Sequence, residues 1–189
     1  MVDATRSMMC LHGTDPVTVY LSAWARVGDF SVPDLDRALY VDRSLVKHLA
    51  MRRTLFVFPR DTLAAARAGA SERVADVERR RLIGEVEKAG LHHDGKRWLT
   101  QACDEVLATL SDGREATSSQ LRDEIPLLEG SMPYGEGKEW GSRVSVGPRV
   151  LTVLSAEGRI VRASNNGGWN TSRPRWSATR SWLGEGSRR

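Results

Sequence analysis

Cysteine is almost missing from this 189-residue sequence: Cys10 and Cys103 stand far apart and neither has a CxxC partner. Two isolated thiols build neither a disulfide scaffold nor a zinc site, and they read as buried or free thiols in a reducing cytoplasm. Long apolar runs are missing too. No stretch approaches the roughly 18 residues that a membrane helix needs. The opening MVDATRSMMC carries an acid and no long apolar core, so it does not read as a secretory signal. Catalytic signatures are scarce: there is no HExxH, no GxSxG and no GxxxxGK[ST], which removes the zinc-protease, serine-hydrolase and P-loop readings. His92 and His93 are adjacent rather than one helical turn apart, a poor spacing for a shared metal. Lysine is also rare, supplying four of the 28 basic residues, so arginine carries the positive charge.

What is present is a foldable chain, 40 % apolar and 28 % charged. Its net charge of +4 is mild, but the charge is unevenly placed. Residues 98–140 hold three basic side chains against nine acidic ones, whereas residues 141–183 hold seven arginines against the single acid Glu157. Such a reversal within one folded region points to a face meant for a polyanion.

The order of elements follows from local signals. Asp15-Pro16 is an N-cap followed by proline in the first turn, and Val17, Tyr20, Leu21 and Trp24 then recur at helical spacing until Gly28. A short second helix is expected from Pro33, and a third from Ser44 with Leu45, Leu49 and Ala50 turned inward. Thr54 to Phe58 reads as a strand stopped by Pro59. Three helices and a strand are the order of a winged helix. Residues 61–96 read as an exposed helical bridge, with seven acids balancing seven bases. The order then repeats. Trp98, Ala102, Val106 and Leu110 mark one helix, and Thr117 to Gln120 form a capping box opening another. A third helix is expected over 141–156, with a break or late start at Pro148. Strands over 159–163 and 173–177 flank the Asn165-Asn166-Gly167-Gly168 turn.

In a winged helix the third helix enters the major groove and the hairpin lies along the phosphates. That reading directs Arg143, Ser145 and Arg149 toward base edges, and Arg162, Asn165, Asn166, Arg173 and Arg175 toward the backbone. Alternation puts Trp176 opposite Arg173 and Arg175, hence in the core, and leaves Trp169 as the exposed aromatic. Trp24 and Trp98 are expected in helix stripes facing the core. The first module adds Lys47, Arg52 and Arg53, in or beside its third helix. Thr14 and Asp15 have a plain capping reading.

The block Asp34-Leu-Asp-Arg-Ala-Leu-Tyr40, Asp42-Arg-Ser-Leu-Val46 and Met51-Arg-Arg-Thr-Leu-Phe-Val57 resembles the winged-helix family that contains the AlkZ-type DNA glycosylases. The start at Trp140-Gly-Ser-Arg143 and the arginine-rich hairpin after Ser164 resemble its second winged helix. The resemblance implies tandem winged helices around a concave DNA surface. It also implies excision of alkylated bases or unhooking of crosslinks, without a metal or an organic cofactor. Those glycosylases hold the attacking water with a Gln-hydrophobic-Gln or Gln-hydrophobic-Asp triplet. The corresponding place here is His12-Gly13-Thr14, so His12 and Thr14 are the implied catalytic pair. Histidine orients or deprotonates water, and threonine hydrogen-bonds it. Family members are longer, with a further winged helix and a β-barrel portion, so the chain resembles an N-terminal portion.

The expected architecture is therefore a mostly α, α+β chain of tandem winged-helix modules: residues 1–60, a bridge over 61–96, residues 97–183, and a flexible tail over 184–189. The expected partner is double-stranded DNA, with no membrane and no small-molecule cofactor, in a cytoplasmic, nucleoid-associated setting. A transcriptional or nucleoid DNA binder without catalysis is the first alternative, and a truncated protein-interaction remnant the second.

Overall fold

The computed structural model describes residues 1–135 and 141–184. Lys138, Trp140 and nearly all of the expected tail lie outside the described residues. The fold is α+β and mostly helical, with small antiparallel sheets.

The first half runs α1 (Val2–Ser7), β1 (Leu11–His12), α2 (Pro16–Trp24) and α3 (Val32–Asp36), which continues through a wide π-type turn over Arg37–Val41. The expected cap at Asp15 is there, and Ser31 supplies a second one ahead of Pro33. The Asp15 carboxylate accepts from the Val17 amide at 3.0 Å, and the Ser31 hydroxyl accepts from the Asp34 amide at 3.3 Å. Leu35 and Leu39 then bury against Val19, Tyr20, Leu45 and Val57.

The helix expected from Ser44 is instead a strand. β2 (Leu45–Leu49) pairs antiparallel with β3 (Leu55–Pro59), and β1 joins the other edge of β3. Two features explain the difference. Arg43 has a left-handed φ of 54°, which breaks any helix just before β2. The strand also buries Leu45, Val46, His48 and Leu49, so both faces are covered and the leucine spacing no longer distinguishes helix from strand. The hairpin turns through Arg52 and Arg53, at φ 56° and 61°, with the Thr54 amide donating to the Met51 carbonyl at 3.0 Å. Two successive positive φ values are the geometry of a type I′ turn, built here without glycine or asparagine.

The connecting segment is helical as expected: α4 (Leu63–Ala66), a second wide turn over Arg67–Ser71, and α5 (Glu72–Lys88). It is not exposed all round. Ala75, Glu78, Leu82 and Val86 are buried, and Leu82 and Val86 belong to the core of the second half. Of Arg79, Arg80 and Arg81, the last two are exposed while Arg79 turns inward to the Glu157 carboxylate at 2.7 Å.

The second half runs α6 (Gly95–Thr109), α7 (Ser118–Glu124), the β4–β5 hairpin (Ser131–Tyr134 and Ser142–Ser145), α8 (Gly147–Ala156), β6 (Ile160–Asn165), β7 (Pro174–Ala178) and α9 (Thr179–Leu183). The Thr117–Gln120 capping box forms reciprocally. Residues 142–145, expected to be helical, pair as β5. The helix starts late, with Pro148 in its first turn, where the missing amide proton costs nothing. Trp98 and Trp176 are core residues as expected, but Trp24 is 66 % exposed.

The two halves share an order of elements, a helix, a short strand or bridge, two helices and then a hairpin, with the β4–β5 hairpin inserted between α7 and α8 of the second half. In the first sheet the strand order is β1-β3-β2, and in the second Ala116 bridges Trp176 of β7, which pairs with β6. The halves share core. Val46 and Phe58 pack with Val161, Ala163 and Trp182, and Leu49 and Leu55 meet Ala156. The Arg43 and Arg60 guanidinium groups donate to the carbonyls of Trp182 and Leu183 across this junction. As a result α8, with seven of its ten residues buried, is covered by α5 and the first half, whereas α3 keeps Pro33, Asp34 and Arg37 in solvent. No helix among the described residues is long and apolar enough to cross a membrane.

Candidate functional site

A cleft of about 430 Å3 opens where the first half meets the loop between β6 and β7. Tyr20 comes from α2, Pro33 and Asp36 from α3, Arg37, Tyr40 and Val41 from the turn that extends it, and Asn165, Gly167 and Trp169 from the facing hairpin. Its floor is polar. The Tyr20 hydroxyl donates to Asp36 Oδ1 at 2.5 Å, and Lys47 Nζ donates to the Tyr40 hydroxyl at 2.7 Å. Arg162 approaches from β6, its guanidinium 5.3 Å from the Trp176 ring centroid.

Tyr20, Tyr40, Lys47 and Arg162 are moved from their ordinary ranges because they are withdrawn from water. Burial, reinforced by the hydrogen bond to Asp36, raises the Tyr20 hydroxyl well above the usual tyrosine range. Burial and the Asp36 charge push Tyr40 up to about 12. Burial, then the charge of Arg162, brings Lys47 down to about 8. Arg162 is itself lowered, chiefly by burial. Behind this floor a small void, lined by Gly13, Lys47 and Arg162, shares Tyr40 and Asn165 with the cleft.

Gly13 reaches that void because the chain after β1 stays bound to β3. Its amide donates to the Leu55 carbonyl at 2.8 Å, and the Thr14 hydroxyl accepts from the Leu55 amide at 3.2 Å. A side chain at position 13 would meet the Leu55 carbonyl at 3.3 Å, so glycine lets the two backbones lie this close. His12 precedes Gly13 and so points to the opposite face of the sheet. It is exposed there, edge-on to Phe56 with 5.9 Å between ring centroids.

A sequence model of the family described as DNA glycosylase AlkZ-like matches residues 5–189. The chain belongs to the AlkZ-like DNA glycosylase family. No curated protein and no solved structure matched it.

Within this AlkZ-like chain the expected DNA-facing residues fall into two groups. Asn166, Trp169, Arg173 and Arg52 are exposed. Arg53 and Arg143 are exposed as well but each reaches a partner within the chain, and the rest are engaged internally. Arg149, on α8, turns onto α5, with Nη2 3.0 Å from Glu85 and 3.9 Å from the buried Glu78. Arg53 reaches the same Glu78 at 3.2 Å. Arg175 donates to the Glu115 carbonyl at 2.6 Å, and Asn165 is folded over its own loop, bonding Gly168, Thr171 and the Arg173 amide. Lys47 and Arg162 belong to the cleft floor. Arg143 is exposed on β5 and holds Ser131 across the hairpin at 2.7 Å, while the Ser145 hydroxyl is buried without a described partner. His12 and Thr14 flank Gly13, two positions apart on one chain path, so the alternation that turns Gly13 toward the void turns both of them away from it.

Sequence reasoning missed Tyr20, Asp36 and Tyr40. The available signal was Lys47, a charged side chain inside the apolar run Leu45 to Leu49, which demands a buried polar partner. It also missed a second concavity of about 930 Å3, bordered by Arg67, Arg159 and Arg180. Arg159 is partly neutralised there by Asp104 at 3.6 Å, whereas Arg180 is exposed.

Proposed function

We propose that this chain is a DNA-repair glycosylase acting on alkylated or crosslinked bases in double-stranded DNA, through tandem winged-helix modules. The observation that carries the reading is the cleft in which α3 and the exposed Trp169 loop converge over Asp36. The repeated wiring supports the tandem modules, because a helix, strand, helix, helix and hairpin with the last strand central is the winged-helix plan. On that plan the groove-facing helix of the first module is α3, whose outer residues are free. The matching helix of the second module, α8, is covered, so that module contributes its hairpin instead, through Asn166, Trp169 and Arg173.

In base excision a water oxygen attacks C1′ of the deoxyribose, the bond from C1′ to the base nitrogen breaks, and the base leaves with a proton. His12 and Thr14 are the proposed water-holding pair. The exposed imidazole is free to take the water's proton, and the Thr14 hydroxyl, which accepts from Leu55, still has its own proton to donate.

The test is release of free base from alkylated duplex DNA by the purified chain. Release that is abolished in His12→Ala, with duplex affinity kept, is expected. A second reading, DNA binding without excision, is favoured by one feature: His12 projects from the sheet face opposite the Gly13 void. Wild-type protein that binds alkylated duplex but frees no base would establish that reading instead.

A further inference from the structure

We propose that the cleft between α3 and the Trp169 loop is a nucleobase pocket, with Trp169 as the stacking platform and Asp36 as the residue that selects the base. The proposal rests on the base-excision reading for the source of the base, but the pocket is argued from its own geometry.

Trp169 is 40 % exposed on a hairpin loop that borders a concave site. Its neighbouring ring, Tyr20, lies 5.5 Å away at 57°, so the two rings meet obliquely and do not stack. An indole held in this way presents surface to a flat ring in the cleft, and base-on-aromatic stacking is a strong and sequence-tolerant contact. The loop is already ordered. Asn165 Nδ2 donates to the carbonyls of Gly168 at 3.1 Å and Thr171 at 3.0 Å, its oxygen accepts from the Arg173 amide at 2.8 Å, and the Thr171 hydroxyl donates to Gly168 at 2.9 Å. A ligand arriving at Trp169 therefore does not have to pay for organising the loop.

Asp36 supplies the discrimination. One carboxylate oxygen accepts from Tyr20, which fixes the group against the cleft floor, and no described group donates to the other. A carboxylate takes two parallel N–H donors most readily. Among the bases, guanine presents two adjacent N–H donors on its pairing edge. Adenine and cytosine present an amino group beside a bare ring nitrogen, and the single N–H of thymine lies between two carbonyl oxygens that a carboxylate repels. The pocket is thus matched to a flat heteroaromatic ring with paired N–H donors, and its volume is in the range of small-ligand sites. Such a ring is offered either by a base extruded from DNA or by a free nucleoside.

The experiment uses the full chain and two probes. Ligand-observed NMR saturation transfer is recorded with deoxyguanosine, deoxyinosine (which lacks the amino donor) and thymidine. In parallel, affinity is measured for duplexes with guanine either paired or placed opposite an abasic site. The expected result is preference for deoxyguanosine over deoxyinosine and thymidine, with loss of about tenfold or more in Trp169→Ala and in the isosteric Asp36→Asn. Trp169→Phe is expected to recover most of the stacking loss. Preference for the unpaired guanine duplex assigns the pocket to an extruded base, and a response to the nucleoside alone assigns it to free nucleosides. Equal response to all three nucleosides together with equal affinity for both duplexes, or variants that behave as wild type, overturns the proposal. Base release is scored alongside: a selective pocket without release leaves this proposal standing and removes the excision reading, and release without a selective pocket does the reverse.

Discussion

The Lys47 ammonium donates to the Tyr40 hydroxyl at 2.7 Å in the seam between the two halves, with Arg162 close enough to depress it further. Its pKa of about 8 lies below that of an unfolded lysine. Between those values the unfolded chain binds more protons than the folded one, so this group makes the fold more stable as pH rises from about 8 toward 10. Above that, Tyr40, raised to about 12, acts in the opposite sense, because unfolded tyrosine ionises first. Lys47→Met is expected to raise the urea midpoint at pH 7 and to flatten the rise between pH 8 and 10. The difference between the two unfolding curves isolates the lysine, and parallel curves across that range would count against its burial as a charge.

His48, on the same strand, is 4 % exposed and its Nε2 has no partner among the described residues. Burial first, and the Arg67 charge second, hold it down at about 4. Here the unfolded histidine gains its proton before the folded one does. Stability is therefore complete above about pH 6.5 and is lost as pH falls toward 4, by on the order of 3 kcal/mol. Chemical denaturation at pH 7 and pH 4.5 is expected to show a steeper acid loss for wild type than for His48→Leu. Equal acid losses would remove the histidine from the account.

The fold was legible where side-chain chemistry acts locally. Asp15, Ser118's neighbour Thr117, Gln120 and Pro148 state helix starts that the structure reproduces, because a cap is decided within four residues. It was not legible at 44–50, where Leu45 and Leu49 satisfy a helical period and a doubly buried strand equally well. Nor was the turn that follows legible, since arginine carries the φ values that glycine or asparagine normally announces. The surroundings of the candidate site depend on packing that local signals do not carry. Arg149 and Arg175 look like DNA contacts in a basic stretch, and only the packing of α5 and of Glu115 beside them shows their charge already answered.

That arginine turn yields a test of its own. Arg52 and Arg53 are both exposed, but only Arg53 reaches a partner, Glu78 at 3.2 Å, so the left-handed backbone at Arg52 is strain without a compensating contact among the described residues. Arg52→Gly is expected to stabilise the chain by about 0.5–1 kcal/mol, the relief in φ outweighing the greater freedom of unfolded glycine. A thermal-melting comparison decides it, and a lowered Tm would mean that the Arg52 side chain holds something in place.

Variants of Arg149 and Arg173 test whether structural charge and the proposed DNA-binding charge are separate. Arg149 lies between Glu85 and the buried Glu78. Arg149→Ala leaves Glu78 to Arg53 alone, and breaking a buried charge cluster typically costs about 3 kcal/mol. The folded fraction of that variant is expected to bind duplex DNA as wild type does, with the same salt dependence. Arg173 is exposed on the ordered loop beside Trp169, where its loss strands no buried partner. Arg173→Ala is expected to change stability by no more than about 0.5 kcal/mol. It is also expected to weaken binding to all duplex sequences alike and to reduce the slope of log affinity against log salt by about 0.9, one phosphate contact. Fluorescence anisotropy over a salt series, run with urea titrations of the same samples, measures both quantities. A salt slope that changes for Arg149→Ala and not for Arg173→Ala would reverse the assignment and put α8, not the hairpin, against the DNA.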